Sequence, residues 1–145
     1  MSVELPFAPV DSIIRRNAGN LRVSSEATEA LTRRIQEQGA ERAVGAAERA
    51  TGDGRKTLMP EDFGVETVPD PDTLELPIAP VDRIARLDIE DYRVSMDARI
   101  ALASLLEAEA DTVATVAAML ARHAGRRTVK GEDIELYEQL KPYFE

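Results

Sequence analysis

The sequence predicts an all-α protein built from two tandem copies of one three-helix unit, each a short helix, a long helix and a short helix. Three observations point there. Laying Glu75 on Glu4 aligns Glu4-Leu5-Pro6-Phe7-Ala8-Pro9-Val10-Asp11 with Glu75-Leu76-Pro77-Ile78-Ala79-Pro80-Val81-Asp82 without a gap. In the same register Arg22-Val23-Ser24 falls on Arg93-Val94-Ser95, Gly54-Arg55-Lys56-Thr57 on Gly125-Arg126-Arg127-Thr128, and Glu61-Asp62 on Glu132-Asp133; about 24 of 60 aligned positions are identical. Leu102, Leu105, Leu106, Val113, Val116, Ala117 and Leu120 recur at three- and four-residue steps through a stretch free of proline and glycine, as in a helix with one apolar face. Prolines, serines and glycines punctuate both copies at matching places, where helices start and stop.

The elements follow in order. Pro9 suits the start of a first helix with Ile13 and Ile14 on its apolar face, broken between Asn17 and Asn20 around Gly19. Its counterpart starts at Pro80 and presents Val81, Ile84 and Leu87. Ser24 and Ser95 are N-cap residues, with Glu26 and Asp97 placed to complement the helix dipole. The long helix that starts at Ser95 has about 30 residues and spans roughly 45 Å. That is too long for a small unit folded on itself, so its middle must cross a partner. Gly54 and Gly125 stand just past the ends of the long helices. Thr57 and Thr128 then enter short extended pieces before the third helices. The second copy's third helix is expected from about Lys130 to Lys141, carrying Ile134, Leu136, Tyr137 and Leu140 and stopped by Pro142; the first copy's is cut short by Gly64. The units are assigned to residues 1–67 and 74–145, joined by a linker at 68–73 that contains Pro69 and Pro71. A linker this short favours pairing of the copies within one chain, with a domain-swapped dimer as the alternative.

Arg34, Arg42 and Arg49 stand in the first copy where the second has Leu105, Val113 and Leu120. They share one stripe of the helix. Pairing first copy with first copy would bury like charges along it. Pairing first with second sets it beside Glu107, Glu109 or Asp111, unless the arginines point to solvent.

The chain has 145 residues, no cysteine, and a formal charge of −9 from 27 acids and 18 bases. The acids are spread over both copies, and lysine occurs only at Lys56, Lys130 and Lys141. Disulfides and thiolate metal sites are excluded, and the lack of a long apolar run argues against a membrane or secretory protein. A single histidine, His123, argues against histidine catalysis and multi-histidine metal sites. No cofactor is expected. The acidic, arginine-over-lysine composition resembles that of proteins from salt-in halophiles, with an ordinary acidic protein as the alternative. In molar salt the Debye length is about 3 Å, so self-repulsion is screened.

Glu75-Leu76-Pro77-Ile78-Ala79-Pro80, Arg93-Val94-Ser95, Leu120-Ala121-Arg122-His123-Ala124-Gly125-Arg126-Arg127-Thr128 and Glu132-Asp133-Ile134-Glu135-Leu136 together resemble an archaeal histone from end to end. Two copies in one acidic chain resemble the fused doublets of halophilic archaea. The resemblance implies two histone folds clasped head to tail in a handshake, so that one chain is a pseudo-dimer. It implies a cytoplasmic, nucleoid-associated protein whose partner is double-stranded DNA, and no enzyme.

In that family DNA meets a central patch made by the two first helices and two end patches where loops of the two units meet. Carried over by position, the central bases are Arg15, Arg83 and Arg86, with Ser12 replacing the arginine that would match Arg83. The minor-groove arginines are Arg22 and Arg93, and the remaining loop contacts are Lys56 with Thr57 and Arg127 with Thr128. Arg55 with Asp62, and Arg126 with Asp133, resemble the pairs that pin the loop to the third helix. Leu120, His123, Asp133 and Leu136 fall at the family's dimer-dimer contact, where the first copy has Arg49, Gly52, Asp62 and Val65. The resemblance therefore implies self-association of two chains through the second copy. The alternative for His123 is a satisfied polar residue at a helix end. A histone-fold module for protein partners, with little DNA affinity, is the second reading, and the net charge favours it.

Overall fold

A computed structural model of the chain describes residues 2–144. Five helices and two pairs of two-residue strands alternate along it: α1 (Phe7–Ala18), β1 (Arg22–Val23), α2 (Ser25–Gly52), β2 (Thr57–Leu58), α3 (Ile78–Ala85), β3 (Arg93–Val94), α4 (Met96–His123), β4 (Thr128–Val129) and α5 (Gly131–Leu140). α2 and α4 each have 28 residues, about 42 Å.

Local chemistry sets the boundaries. Ser24 and Ser95 cap α2 and α4, each hydroxyl accepting the amide three residues on, at 3.1 and 3.0 Å. The far ends close in the same way at Gly54 and Gly125, both at φ +72°. There Arg55 N donates to Ala50 O at 2.8 Å and Arg126 N to Ala121 O at 3.0 Å, which satisfies carbonyls the helix leaves open. The short helices begin two residues before the expected prolines, so Pro9 and Pro80 sit third. Amides of the first turn have no partner within the helix, so proline costs nothing there. α3 stops at Ala85, and Leu87 lies beyond it, exposed, instead of completing its apolar face. The third element of the first copy is a single 3-10 turn, Pro60–Phe63, ended by Gly64 at φ +77°. A second 3-10 turn, Pro71–Thr73, lies in the connection, with Asp70 accepting the Asp72 amide at 2.9 Å.

The two sets of helices clasp within the chain. α1 packs on α4 as well as on α2, α3 packs on both long helices, and α5 lies across α2 and α4. β1 pairs in parallel with β4, placing Arg22 opposite Thr128, and β2 pairs with β3, placing Thr57 opposite Arg93. Each pair joins one copy to the other, which makes the arrangement head to tail. A single buried cluster runs through the clasp, including Ile13, Ile14, Leu31, Ile35, Leu58, Ile84, Leu102, Leu106, Val129 and Ile134. The long helix crosses a partner, as its length demands, and the partner is the other copy. At Gly39 an added Cβ would stand 2.6 Å from Ile84 Cγ2 and 3.0 Å from Leu106 Cδ1.

Polar contacts between copies resolve the arginine stripe. Arg34 is 7% exposed, donates to Glu109 at 3.0 Å and Glu138 at 2.8 Å, and lies 5.2 Å from the centre of the Tyr137 ring. Arg49 instead donates to the Asp62 carbonyl of its own copy. Glu107 and Asp111 take Arg16, each at 2.9 Å, and not the stripe. The Glu107 carboxylate also accepts the amides of Glu75 and Leu76, at 2.7 and 2.9 Å, tying the start of the second copy to its long helix. No helix among the described residues is long and apolar enough to cross a membrane.

Candidate nucleic-acid interface

Each end of the molecule is built from one strand pair, one helix start and one helix end. At the first end, Arg22 N donates to Arg127 O at 2.8 Å and Ser24 N to Val129 O at 3.0 Å. The strands thus hold Arg22, Arg127 and Thr128 beside the N-terminus of α2. At the second, Arg93 N donates to Lys56 O at 2.9 Å and Ser95 N to Leu58 O at 3.1 Å. This gathers Arg93, Lys56 and Thr57 at the start of α4. Residues far apart in sequence, assigned to one function separately in each copy, meet here in two matching sets.

Within these sets, the side chains of Arg22, Arg93 and Arg127 are exposed and make no hydrogen bond or ion pair among the described residues. Lys56 Nζ lies 4.8 Å from the centre of the Tyr92 ring. Free cations next to backbone amides at a helix start form a surface suited to phosphate.

Behind each end, an arginine and an aspartate lock the loop. Arg55 binds both carboxylate oxygens of Asp62 at 2.8 Å, and Asp62 also accepts the Met59 amide at 2.7 Å. Arg126 binds both oxygens of Asp133 at 2.6 Å, and Asp133 accepts the Lys130 amide at 2.8 Å. Both aspartates are 1% exposed. The Arg55 hydrogen bonds hold the Asp62 carboxyl below its ordinary range; burial opposes this, and the Met59 amide assists it. The Asp133 hydrogen bonds raise the Arg126 guanidinium above its own. The arginines also donate to Thr57 O and Thr128 O, at 3.0 and 3.3 Å, so each pair orients the strand that follows Lys56 or Arg127.

The expected central bases are on the first helices and the turn after α3, but each is held by an acid. Arg15 Nε lies 2.7 Å from Asp11, Arg86 Nε 3.2 Å from Asp82, and Arg83 Nε 3.0 Å from Glu4. The first two are contacts one helical turn apart, which the sequence spacing allows. The third joins the copies. Arg16 was not singled out by the sequence. Its partners lie on the other copy, and the one available signal was that Leu87 replaces it in the repeat while Gln36 replaces Glu107.

Leu120, His123 and Leu136 lie where α4 ends and α5 begins: Leu120 is half-buried, His123 is exposed, and Leu136 is 37% exposed. Among the described residues no cluster of acids or histidine could hold a metal ion.

The chain is similar to known proteins in sequence and in fold. The sequence profile of the family described as histone-like transcription factor (CBF/NF-Y) and archaeal histone matches residues 3–64 and again 74–136. The archaeal histone HAN1 of Thermococcus zilligii is 55% identical over 62 residues, which is 43% of this chain and 91% of that protein. The crystal structure of the histone from Methanopyrus kandleri superposes with a TM-score of 0.70 at 30% identity, covering 90% of this chain and 91% of that one. A crystal structure from Thermus thermophilus shares the fold at 21% identity, with a TM-score of 0.71 and 98% and 99% coverage.

Proposed function

Because this chain belongs to the family of histone-like transcription factors and archaeal histones, with two family matches in tandem, we propose that it is a chromosomal protein that binds and bends double-stranded DNA. It is not an enzyme. The units at residues 1–67 and 74–145 act as one pseudo-dimer, with DNA lying across the first helices and both strand pairs. The observation that carries this reading is the meeting of Arg22 with Arg127 and Thr128, and of Arg93 with Lys56 and Thr57, across the two strand pairs. Arg22 and Arg93 enter the minor groove, while the loop residues and helix-start amides take phosphates.

The acid held against each of Arg15, Arg83 and Arg86 makes the central patch weak. That supports modest affinity and an occasional architectural or gene-regulatory role over bulk packaging. It also supports the second reading, a histone-fold module for protein partners. Titration of a labelled duplex of about 60 base pairs across a salt series separates them, with each neutralised phosphate contributing a slope near −0.9 in log affinity against log salt. Wild-type chain should bind saturably, and the Arg22→Ala, Arg93→Ala variant should lose most of that affinity. No binding by the folded wild type at any salt would leave the protein-partner module. Extending the series to molar salt reads whether binding survives in the interior of a salt-in halophile, the cell that the acidic composition suggests.

Two chains associate through Leu120, His123 and Leu136 of their second copies, with Asp133, 1% exposed and held by Arg126, lying behind that contact. The matching face of the first copy carries Arg49, Gly52 and Val65, which limits growth into a longer array. In light scattering at high protein concentration, His123→Asp should reduce a two-chain species to one chain. An unchanged mass would refute this contact.

A further inference from the structure

We infer that the two DNA-binding ends are unequal and that the first end, built on β1 and β4, is the anchor from which the duplex is held. This rests on the DNA reading above and adds a polarity to it.

The repeat makes the comparison direct. At the first end the incoming loop is Gly19-Asn20-Leu21-Arg22 and the facing loop runs from Arg122 to Arg127. Together they carry four arginines and no acid. At the second end the matching loops are Glu90-Asp91-Tyr92-Arg93 and Thr51 to Lys56, with Arg93, Arg55 and Lys56 set against Glu90, Asp91 and Asp53. Glu90 and Asp91 are exposed and make no ion pair among the described residues. They sit within three residues of the arginine that should meet the groove.

Side-chain placement adds to the difference. Arg122 donates to Ala18 O at 3.0 Å, so its charge is fixed over the first loop. Arg127 and Arg22 are uncommitted. At the second end Lys56 rests on the Tyr92 ring, where the first end has Leu21, and Arg86 donates to the Tyr92 carbonyl at 3.1 Å. The adjoining helix starts do not reverse the balance. Glu26, Glu29, Glu132 and Glu135 share a groove with Arg33 and Lys130 beside the first end. Their counterparts Asp97, Ile100, Glu61, Gly64, Ser104 and Met59 lack two of those acids and both bases, so the difference rests on the loops. At about 0.1 M salt the Debye length is roughly 10 Å, so carboxylates beside the strand repel the phosphates that Arg93 must approach. The duplex is therefore held at the first end and leaves the surface at the second.

Duplex titrations of full-length single variants at about 0.1 M salt test this. Arg22→Ala should weaken binding at least about fivefold more than Arg93→Ala, and the ratio should narrow in molar salt as the acids are screened. Glu90→Gln with Asp91→Asn should tighten binding and lengthen the hydroxyl-radical footprint on one side. Asparagine tolerates the φ of +63° at Asp91, and a thermal melt verifies that each variant is folded. Equal losses for the two arginine variants, or an unchanged footprint on neutralising the acids, would overturn the polarity while leaving DNA binding in place. No binding by the wild-type chain would remove both.

Discussion

Gly39→Val should unfold the clasp at its crossing point, lowering stability by about 3 kcal/mol or more. The glycine lies in the middle of α2, where intrinsic propensity prefers nearly any other residue by up to about 1 kcal/mol. Its presence there answers to packing. A Cβ at this position would meet Ile84 at 2.6 Å and Leu106 at 3.0 Å. Both neighbours are fully buried, each on a helix of the second copy, so neither can step aside without opening the interface. The second copy has Ala110 at the matching position, so only one of the two long helices is this lean. Urea unfolding should show a lower midpoint with little change in slope. Gly52→Ala is the control. An added Cβ there has nothing within 4 Å, and the change should be neutral or stabilising. Wild-type stability in Gly39→Val would mean that the long helices do not cross here.

Arg126→Ala should cost about 2 kcal/mol, because it takes the charged partner from a buried carboxylate, while the arginine side chain itself is 26% exposed. Asp133, 1% exposed with Arg126 in place, would keep the Lys130 amide as its remaining donor among those described. Arg126→Lys should recover little, since an ammonium cannot span both carboxylate oxygens. The first copy's version of this lock also fixes the direction of the acid response. The Asp62 carboxyl is lowered from 3.8 in the folded chain, so its contribution is complete above that value. It is lost as pH falls through the lower folded value. Stability should therefore hold through neutral and mildly acidic pH and decline below about 4. The raised Arg126 acts in the opposite sense. Its contribution is present below the ordinary guanidinium range and would fade only above it. A melting temperature in Arg126→Ala equal to that of the wild type at neutral pH would contradict the role of the lock.

How much of this was legible in the sequence depends on the range of each interaction. Ser24, Ser95, Gly54 and Gly125 act within one helical turn, and their residue types alone placed both ends of both long helices. Pro9 and Pro80 misplaced the short-helix starts by two residues because a proline is tolerated throughout the first turn. Gly39 offered no local signal. Its meaning lies in Ile84 and Leu106, on elements that the chain brings back only in the clasp. The same holds for Arg16, Glu107 and Asp111, whose alignment across copies is set by the crossing angle. For Arg34, the sequence raised contact with Glu109 as one outcome and solvent as another, and burial of the neighbouring surface by Tyr137 selected the first. In the candidate site, the identity of the loop residues came from resemblance. Their convergence came from strand pairing, and the acids that hold Arg15 and Arg86 lie at helical spacing that could have been read directly.

The most direct measurement of DNA binding at the paired strands is an amide NMR titration of the full chain with a short duplex at fixed moderate salt. It reads the binding face residue by residue without relying on a variant. The largest shifts should fall at Arg22, Val23, Arg127 and Thr128, with smaller ones at the start of α1 and at Arg93. A titration that leaves these amides unmoved while the duplex is in excess, or that moves only residues on the Arg42 and Arg49 side of α2, would contradict this placement of the duplex.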